Sequence, residues 1–274
     1  MLRYFTRRVI TIVPVLIGVS LAVFLMIRLV PGDVVTVILG SEGVANAQRI
    51  AQMRHYFGLD QPLYTQYFEW LVHVIVGNFG ASLLTNRPVL PDVVARIPVT
   101  AQLTLTAMIL SLVVAVPLGV ISAVRPYGVV DAVVRIIGLL GLSIPNFWLA
   151  TLLVLFVSLH WPVLPTSGYV PLNQSVVGSF KSLILPAVSL AVPNVAILMR
   201  MTRSSMLEVL RLEYVTTAQA KGLDEWLVLI RHALPNAMIP VVTVAGIQVG
   251  YLLGGTITHS CRLASSSSRL LFPW

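Results

Sequence analysis

Charge is scarce in this sequence. Asp, Glu, Lys and Arg make up 10% of its 274 residues, against 57% hydrophobic residues. A soluble domain carries about a quarter charged residues, so this chain has too little polar surface to cover a soluble globule, and a polytopic membrane protein remains. Cysteine occurs once, at Cys261, which excludes an internal disulfide framework and a Cys-x-x-Cys metal site. Lysine occurs only as Lys181 and Lys221. Neither stands in the Gly-Lys-Ser/Thr context of a nucleotide-binding P-loop. HExxH and GxSxG are absent, and His55, His73, His160, His232 and His259 are isolated in sequence. We therefore expect no catalytic residue, no metal site and no cofactor of the chain's own. The net charge of +8 comes from scattered bases without a basic run. It fits loops beside anionic lipid, and no nucleic acid.

Charge-free windows locate the membrane spans. A charged side chain at the bilayer centre costs about 2.5–3.5 kcal/mol on insertion scales, and crossing takes about 20 apolar residues. Five windows suffice, trimmed to 9–30, 101–123, 137–159, 183–200 and 237–257. The first follows Arg3, Arg7 and Arg8. It is too long for a signal peptide and lacks a clean small-residue cleavage site, so it reads as a retained span. The fold class is all-α, a membrane helical bundle.

Arginine and lysine concentrate at the N-terminus, at 124–135 (Arg125, Arg135) and at 200–236 (Arg200, Arg203, Arg211, Lys221, Arg231). By the positive-inside rule these segments, and the N-terminus, are cytoplasmic. The long segment 31–100 is then external. Within it Val44 to Phe57 reads as a helix, Gly58-Leu59-Asp60-Gln61-Pro62 as a turn, and Tyr64 to Val76 as a second helix too short to span. Together they make a small external helical subdomain.

Pro14, Pro117, Pro145, Pro186 and Pro193 fall in the spans and predict kinks. Gly246, Gly250 and Gly254 form a small-residue stripe that would let a neighbouring helix approach closely. The spans hold no acid, lysine or central histidine, which argues against a proton-coupled carrier. Their polar groups are Ser143, Asn146, Ser189, Asn194, Thr243 and Gln248, candidates for a translocation path.

Ser204 to Pro240 is a charged stretch between two long apolar segments. It reads as helix, glycine, helix. Ser205 and Glu208 make a capping-box start, with Leu207, Leu210, Tyr214 and Ala218 on one face. Gly222 would end that helix in a left-handed conformation. Asp224 would cap a second helix, with Trp226, Ile230, Ala233 and Leu234 on one face until Pro235. Such a pair of amphipathic helices either lies on lipid or docks into a protein.

Gly222 followed by Leu234-Pro235 at the spacing G-x11-L-P resembles the EAA loop of ABC importer permeases. Glu213 to Leu223 (EYVTTAQAKGL) and Arg231 to Ala237 (RHALPNA) resemble, more narrowly, the dipeptide, oligopeptide and nickel permease family. So do Leu29-Val30-Pro31-Gly32-Asp33, the turn at 58–62, Gly141 to Trp148 (GLSIPNFW) and Gly254-Gly255-Thr256. The likeness covers residues 1–257 and points to the first permease of the pair. Thr216 and Thr217 depart from the general pattern, where Ala218 matches it. His232 stands at the usual isoleucine position. The resemblance implies a bacterial inner-membrane permease without its own ATPase site, importing peptides. Its partners would be a second permease, two ATP-binding subunits and an external solute-binding protein. It implies that Tyr214, Thr216, Thr217, Ala218, Ala220, Lys221, Gly222, Leu223, Leu234 and Pro235 couple the chain to an ATPase, within a cytoplasmic loop at 200–236. A stand-alone channel or secondary carrier is the alternative.

The family continues to a sixth span. Here residues 258–274 turn polar and serine-rich and are too short to cross, leaving five spans. This reads as a truncated or frameshifted tail, and a non-transporting remnant is the corresponding alternative.

Overall fold

The computed structural model of the chain describes residues 2–29, 60–81, 87–160, 165, 168–171 and 173–269. The helix expected over Val44 to Phe57 lies outside them. The chain divides into two units, Met1–Val94 and Ala95–Trp274.

In the first unit, α1 (Leu2–Leu29) is a long apolar helix whose described side chains are mostly exposed. That exposure costs nothing where the solvent is hydrocarbon. Pro14 sits inside it without ending it. The short helix α2 (Leu63–Ile75) follows Pro62, whose fixed φ suits a helix entry. Its aromatic face packs on α1: the Phe24 and Tyr67 rings meet edge to face at 5.4 Å, and the Ser20 and Tyr67 hydroxyls hydrogen bond at 2.8 Å. The helix expected over Tyr64 to Val76 therefore forms where the apolar pattern placed it.

The second unit is built round α6 (Val176–Val209), which opens on a Ser175 cap accepting the Gly178 N–H at 3.1 Å. Around it lie α3 (Val89–Val124), α4 (Val129–Ser143), α5 (Asn146–His160) and the last helix α9 (Leu234–Arg269). Nearly half of the buried positions of α6 are small, Ala187, Ser189, Ala191 and Ala196 among them. In a bilayer helices gain little by hiding apolar surface from one another, so close backbone approach carries the association.

The closest approaches fall at glycines of α3 and α4. A Cβ at Gly119 would lie 2.6 Å from Thr202 Cβ and 2.8 Å from the Met199 carbonyl oxygen, and one at Gly138 would meet Met199 Cε at 2.6 Å. The stripe in the last helix receives no described helix of this chain. Among the described residues, a Cβ at Gly246, Gly250 or Gly254 meets nothing within 4 Å.

Among the described residues four helices are long and apolar enough to cross a membrane, and α4 with α5 adds a fifth if the pair is one span. The predicted span 137–159 is not a kinked helix. α4 and α5 meet at 98°. The residue before a proline is driven out of the helical region, and Ile144, before Pro145, is extended with φ −86° and ψ 122°. Pro117, Pro186 and Pro193, in contrast, lie within unbroken helices.

Candidate functional site

The segment between the last two spans takes a different course from the one its capping signals suggested. No helix starts at Ser205. α6 runs through it to Val209, and Ser205 is buried. No glycine or proline interrupts residues 194–209, and Thr202, Met206 and Val209 are buried in the bundle, Met206 and Val209 in a cluster with Val120 and Ala123 of α3. That packing outweighs a Ser-x-x-Glu cap whose worth is about 1 kcal/mol. The helix then tightens and turns, with the Arg211 and Leu212 N–H groups donating to the Glu208 and Val209 carbonyls at 3.2 and 3.0 Å. So Leu207 and Leu210 belong to the end of α6, apart from Tyr214 and Ala218.

The short helix α7 (Glu213–Ala220) comes next. It ends as its glycine foretold. Gly222 has φ +77°. Its N–H donates to the Gln219 carbonyl at 2.9 Å, and the Leu223 N–H to the Ala218 carbonyl at 3.4 Å. This pair of bonds is a Schellman closure. The Asp224 carboxylate then accepts the Trp226 N–H at 3.2 Å and opens α8 (Glu225–Leu227).

The expected second helix does not stand free, and it does not end at Pro235. α8 passes through a π-helical turn, Val228–Ala233, directly into α9. Proline lacks an N–H, and its ring presses on the carbonyl four residues back, here that of Arg231. A widened turn just before Pro235 relieves that clash and lets the helix continue.

Among the coupling candidates, Thr216, Thr217, Ala220, Lys221, Gly222, Leu223 and Pro235 are exposed or partly so, and Ala218 is half-buried. Leu234 packs against the chain's own cluster of Met206, Val209, Leu229 and Ala233. On α7 only Val215 is buried. Tyr214 ties α7 to the last helix: its hydroxyl donates to the His232 carbonyl at 3.3 Å and accepts from Asn236 Nδ2 at 2.8 Å. α7 is thus a small, mostly exposed helix held on a short stem.

The path candidates are not gathered into one site within the chain. Ser143 and Thr243 are exposed and donate to the Leu139 and Ile239 carbonyls of their own helices at 2.9 and 3.1 Å. Asn146 is exposed at the start of α5. Ser189 and Asn194 are buried and donate to Pro186 and Leu190 carbonyls at 2.8 and 2.7 Å. Gln248 is half-buried.

A buried charge cluster between α3, α4 and α6 escapes the sequence reading. Asp131, on α4, is fully buried. Arg203 of α6 donates from Nε to Oδ1 at 2.6 Å and from Nη2 to Oδ2 at 2.9 Å. Ser122 of α3 donates to Oδ1, and the Tyr127 N–H to Oδ2 at 3.0 Å. Arg135 approaches Oδ2 at 3.5 Å. Tyr127 takes φ +64°, unusual for a residue with a side chain, to aim its N–H there. The signal is present in the sequence: Asp131 is the lone acid in residues 101–200, and an acid close to a span implies a partner. Arg203, in sequence, counts only as one of the cytoplasmic bases.

Known proteins similar to this chain are transport permeases. The family described as "Binding-protein-dependent transport system inner membrane component" matches residues 115–266, and its N-terminal companion matches 1–104. The "Probable peptide ABC transporter permease protein y4tP" of Sinorhizobium fredii is 41% identical over 254 residues, covering 93% of this chain and 80% of that protein. The dipeptide transport system permease protein DppB of Escherichia coli K12 is 38% identical over 280 residues, covering 94% and 82%. The oligopeptide transport system permease protein AppB of Bacillus subtilis is 37% identical over 260 residues, covering 94% and 82%.

Proposed function

The chain belongs to the family of binding-protein-dependent transport system inner membrane components, and from that premise we propose how it works as one permease of an ATP-driven importer of di- and oligopeptides. It is a multi-pass membrane protein and a transport subunit, the membrane permease of a peptide importer. In our reading a second permease completes the bundle, two ATP-binding subunits hydrolyse ATP, and an external solute-binding protein delivers the peptide. The bundle lies in the bacterial inner membrane with its N-terminus in the cytoplasm, residues 31–100 outside, and the loop at 200–236 inside.

The observation that carries the coupling role is α7, an eight-residue helix with Val215 as its one buried side chain, held between two long apolar helices. A helix that small gains too little from its own contacts to be there for the bundle's stability. Its exposed Thr216, Thr217, Ala220 and Lys221, and the Gly222 turn, form the surface that an ATP-binding subunit grips. Motion of that subunit passes into α6 behind α7 and into α9 through the π turn. Ser143, Asn146 and Thr243 lie on exposed faces, so a path through them closes only where the second permease covers them.

The test is uptake of labelled di- and oligopeptides by a permease-null strain carrying the partner subunits, with and without this chain. ATP-dependent uptake is expected only with it. Equal uptake by vesicles without ATP overturns the reading.

A further inference from the structure

Four segments meet at Asp131. Ser122 closes α3, Tyr127 sits in the turn after it, Asp131 opens α4, and Arg203 lies about two turns before the end of α6. Arg203 also donates from Nε to Ser122 Oγ at 3.1 Å, so one guanidinium holds both helices of the α3–α4 hairpin. Beside the cluster, Gly119 seats α3 against Met199 and Thr202 of α6, and Gly138 seats α4 against Met199. α7 comes after α6 across a tight turn.

Such a cluster is poorly suited to mere stability. Taking a carboxylate and a guanidinium out of water costs several kcal/mol per ion, and apolar replacements of similar volume are often neutral or stabilising. A two-bonded fork between a guanidinium and a carboxylate supplies direction: it fixes both rotation and translation of one helix on another. Leucine and methionine packed at the same place would hold the helices together and still let them slide. A sliding joint at this point would dissipate a displacement of α7 before it reached the α3–α4 hairpin.

We propose that Asp131 and Arg203, with Ser122, are positioning residues for coupling: they lock the α3–α4 hairpin to α6 so that both move with α7 as one body. The proposal rests on the reading of α7 as the docking helix. Neither residue touches peptide or nucleotide; each acts through the helix it holds.

The experiment uses the full complex in proteoliposomes, with the binding protein, ATP and a labelled dipeptide mixture, and reads peptide imported per ATP hydrolysed. The double variant Asp131→Leu/Arg203→Met removes both charges and keeps the volume. We expect it to accumulate and melt at or above the unaltered complex, while import per ATP falls at least tenfold. Arg203→Lys keeps the charge and loses the fork; its ratio should fall severalfold with melting unchanged. A double variant that both folds and imports with an unaltered ratio shows the pair to be a dispensable stabiliser and overturns the proposal. An unaltered ratio for Arg203→Lys overturns it as well, and decides the matter if the double variant does not assemble. If neither variant assembles, the pair is a folding determinant and the proposal falls. Loss of ATP-driven import in the unaltered complex is a different failure, that of the function itself.

Discussion

Replacing Gly222 separates two reasons for a glycine in the coupling turn. Its φ of +77° is costly for a residue with a Cβ, by about 1–2 kcal/mol. Sterics within the chain add nothing, because among the described residues a Cβ there meets no atom within 4 Å. Gly222→Ala should therefore lower the equilibrium constant for closing the turn by about 5- to 30-fold, since each 1.4 kcal/mol is tenfold. The bonds at stake are those from the Gly222 and Leu223 N–H groups to Gln219 and Ala218. Asparagine adopts the left-handed conformation far more readily than alanine, and valine least of all. At equal membrane abundance, verified by immunoblot, the initial rate of ATP-dependent peptide uptake should rank Gly, Asn, Ala, Val. Insertion should be normal throughout, because Gly222 is exposed. An alanine variant as active as the glycine parent refutes the conformational argument. Asparagine and alanine variants equally inactive refute it differently: the limit would then be side-chain volume against a bound partner.

Gly119→Val, which places atoms within 3 Å of Thr202 and Met199, should cost about 1–3 kcal/mol by overpacking, read as a lower melting temperature of the detergent-solubilised chain. Gly246→Val, with open space at its Cβ, should leave that melting temperature unchanged. Tyr214→Phe removes the hydroxyl shared by His232 and Asn236. It should destabilise the α7 stem by about 1 kcal/mol, and in a double-mutant cycle with Asn236→Ala the two effects should be non-additive. Pro235→Ala removes the cause assigned to the π turn, so residues 228–233 should relax toward α-helix. In a cysteine-free background the buried Leu229, replaced by Cys, should then label with a thiol reagent faster than in the Pro235 parent.

Much of the architecture was legible because a bilayer imposes its constraint locally. A run of about 20 residues without charge has one stable fate in hydrocarbon, so the spans could be read window by window. Gly222 and Asp224 were legible for the same reason: a left-handed helix end and a two-residue N-cap are satisfied within a few residues of chain. The Ser205 cap misleads because its signal is local and weak, and the burial of Thr202, Met206 and Val209 against another helix prevails. Pro145 and Pro193 look alike in sequence. One breaks the helix and the other sits in an unbroken one, and the difference lies in packing: Ala191, Asn194 and Ala196 around Pro193 are buried, whereas Asn146 beside Pro145 is exposed. The path candidates rest on polarity alone, and polarity does not reveal which face a helix turns to its neighbours.

By itself the sequence determined a multi-span helical membrane protein, the apolar centre of each long helix though not its ends, and the chemistry of one exposed turn. Each depends on the cost of placing a residue in lipid or in a given backbone conformation. Only the tertiary structure decided that α6 extends to Val209, that α8 flows through a π turn into α9, and that Asp131 meets Arg203 and Ser122. The contacts of Arg203 join residues 72 and 81 positions apart, and their worth depends on burial and direction, which appear only when the helices are assembled.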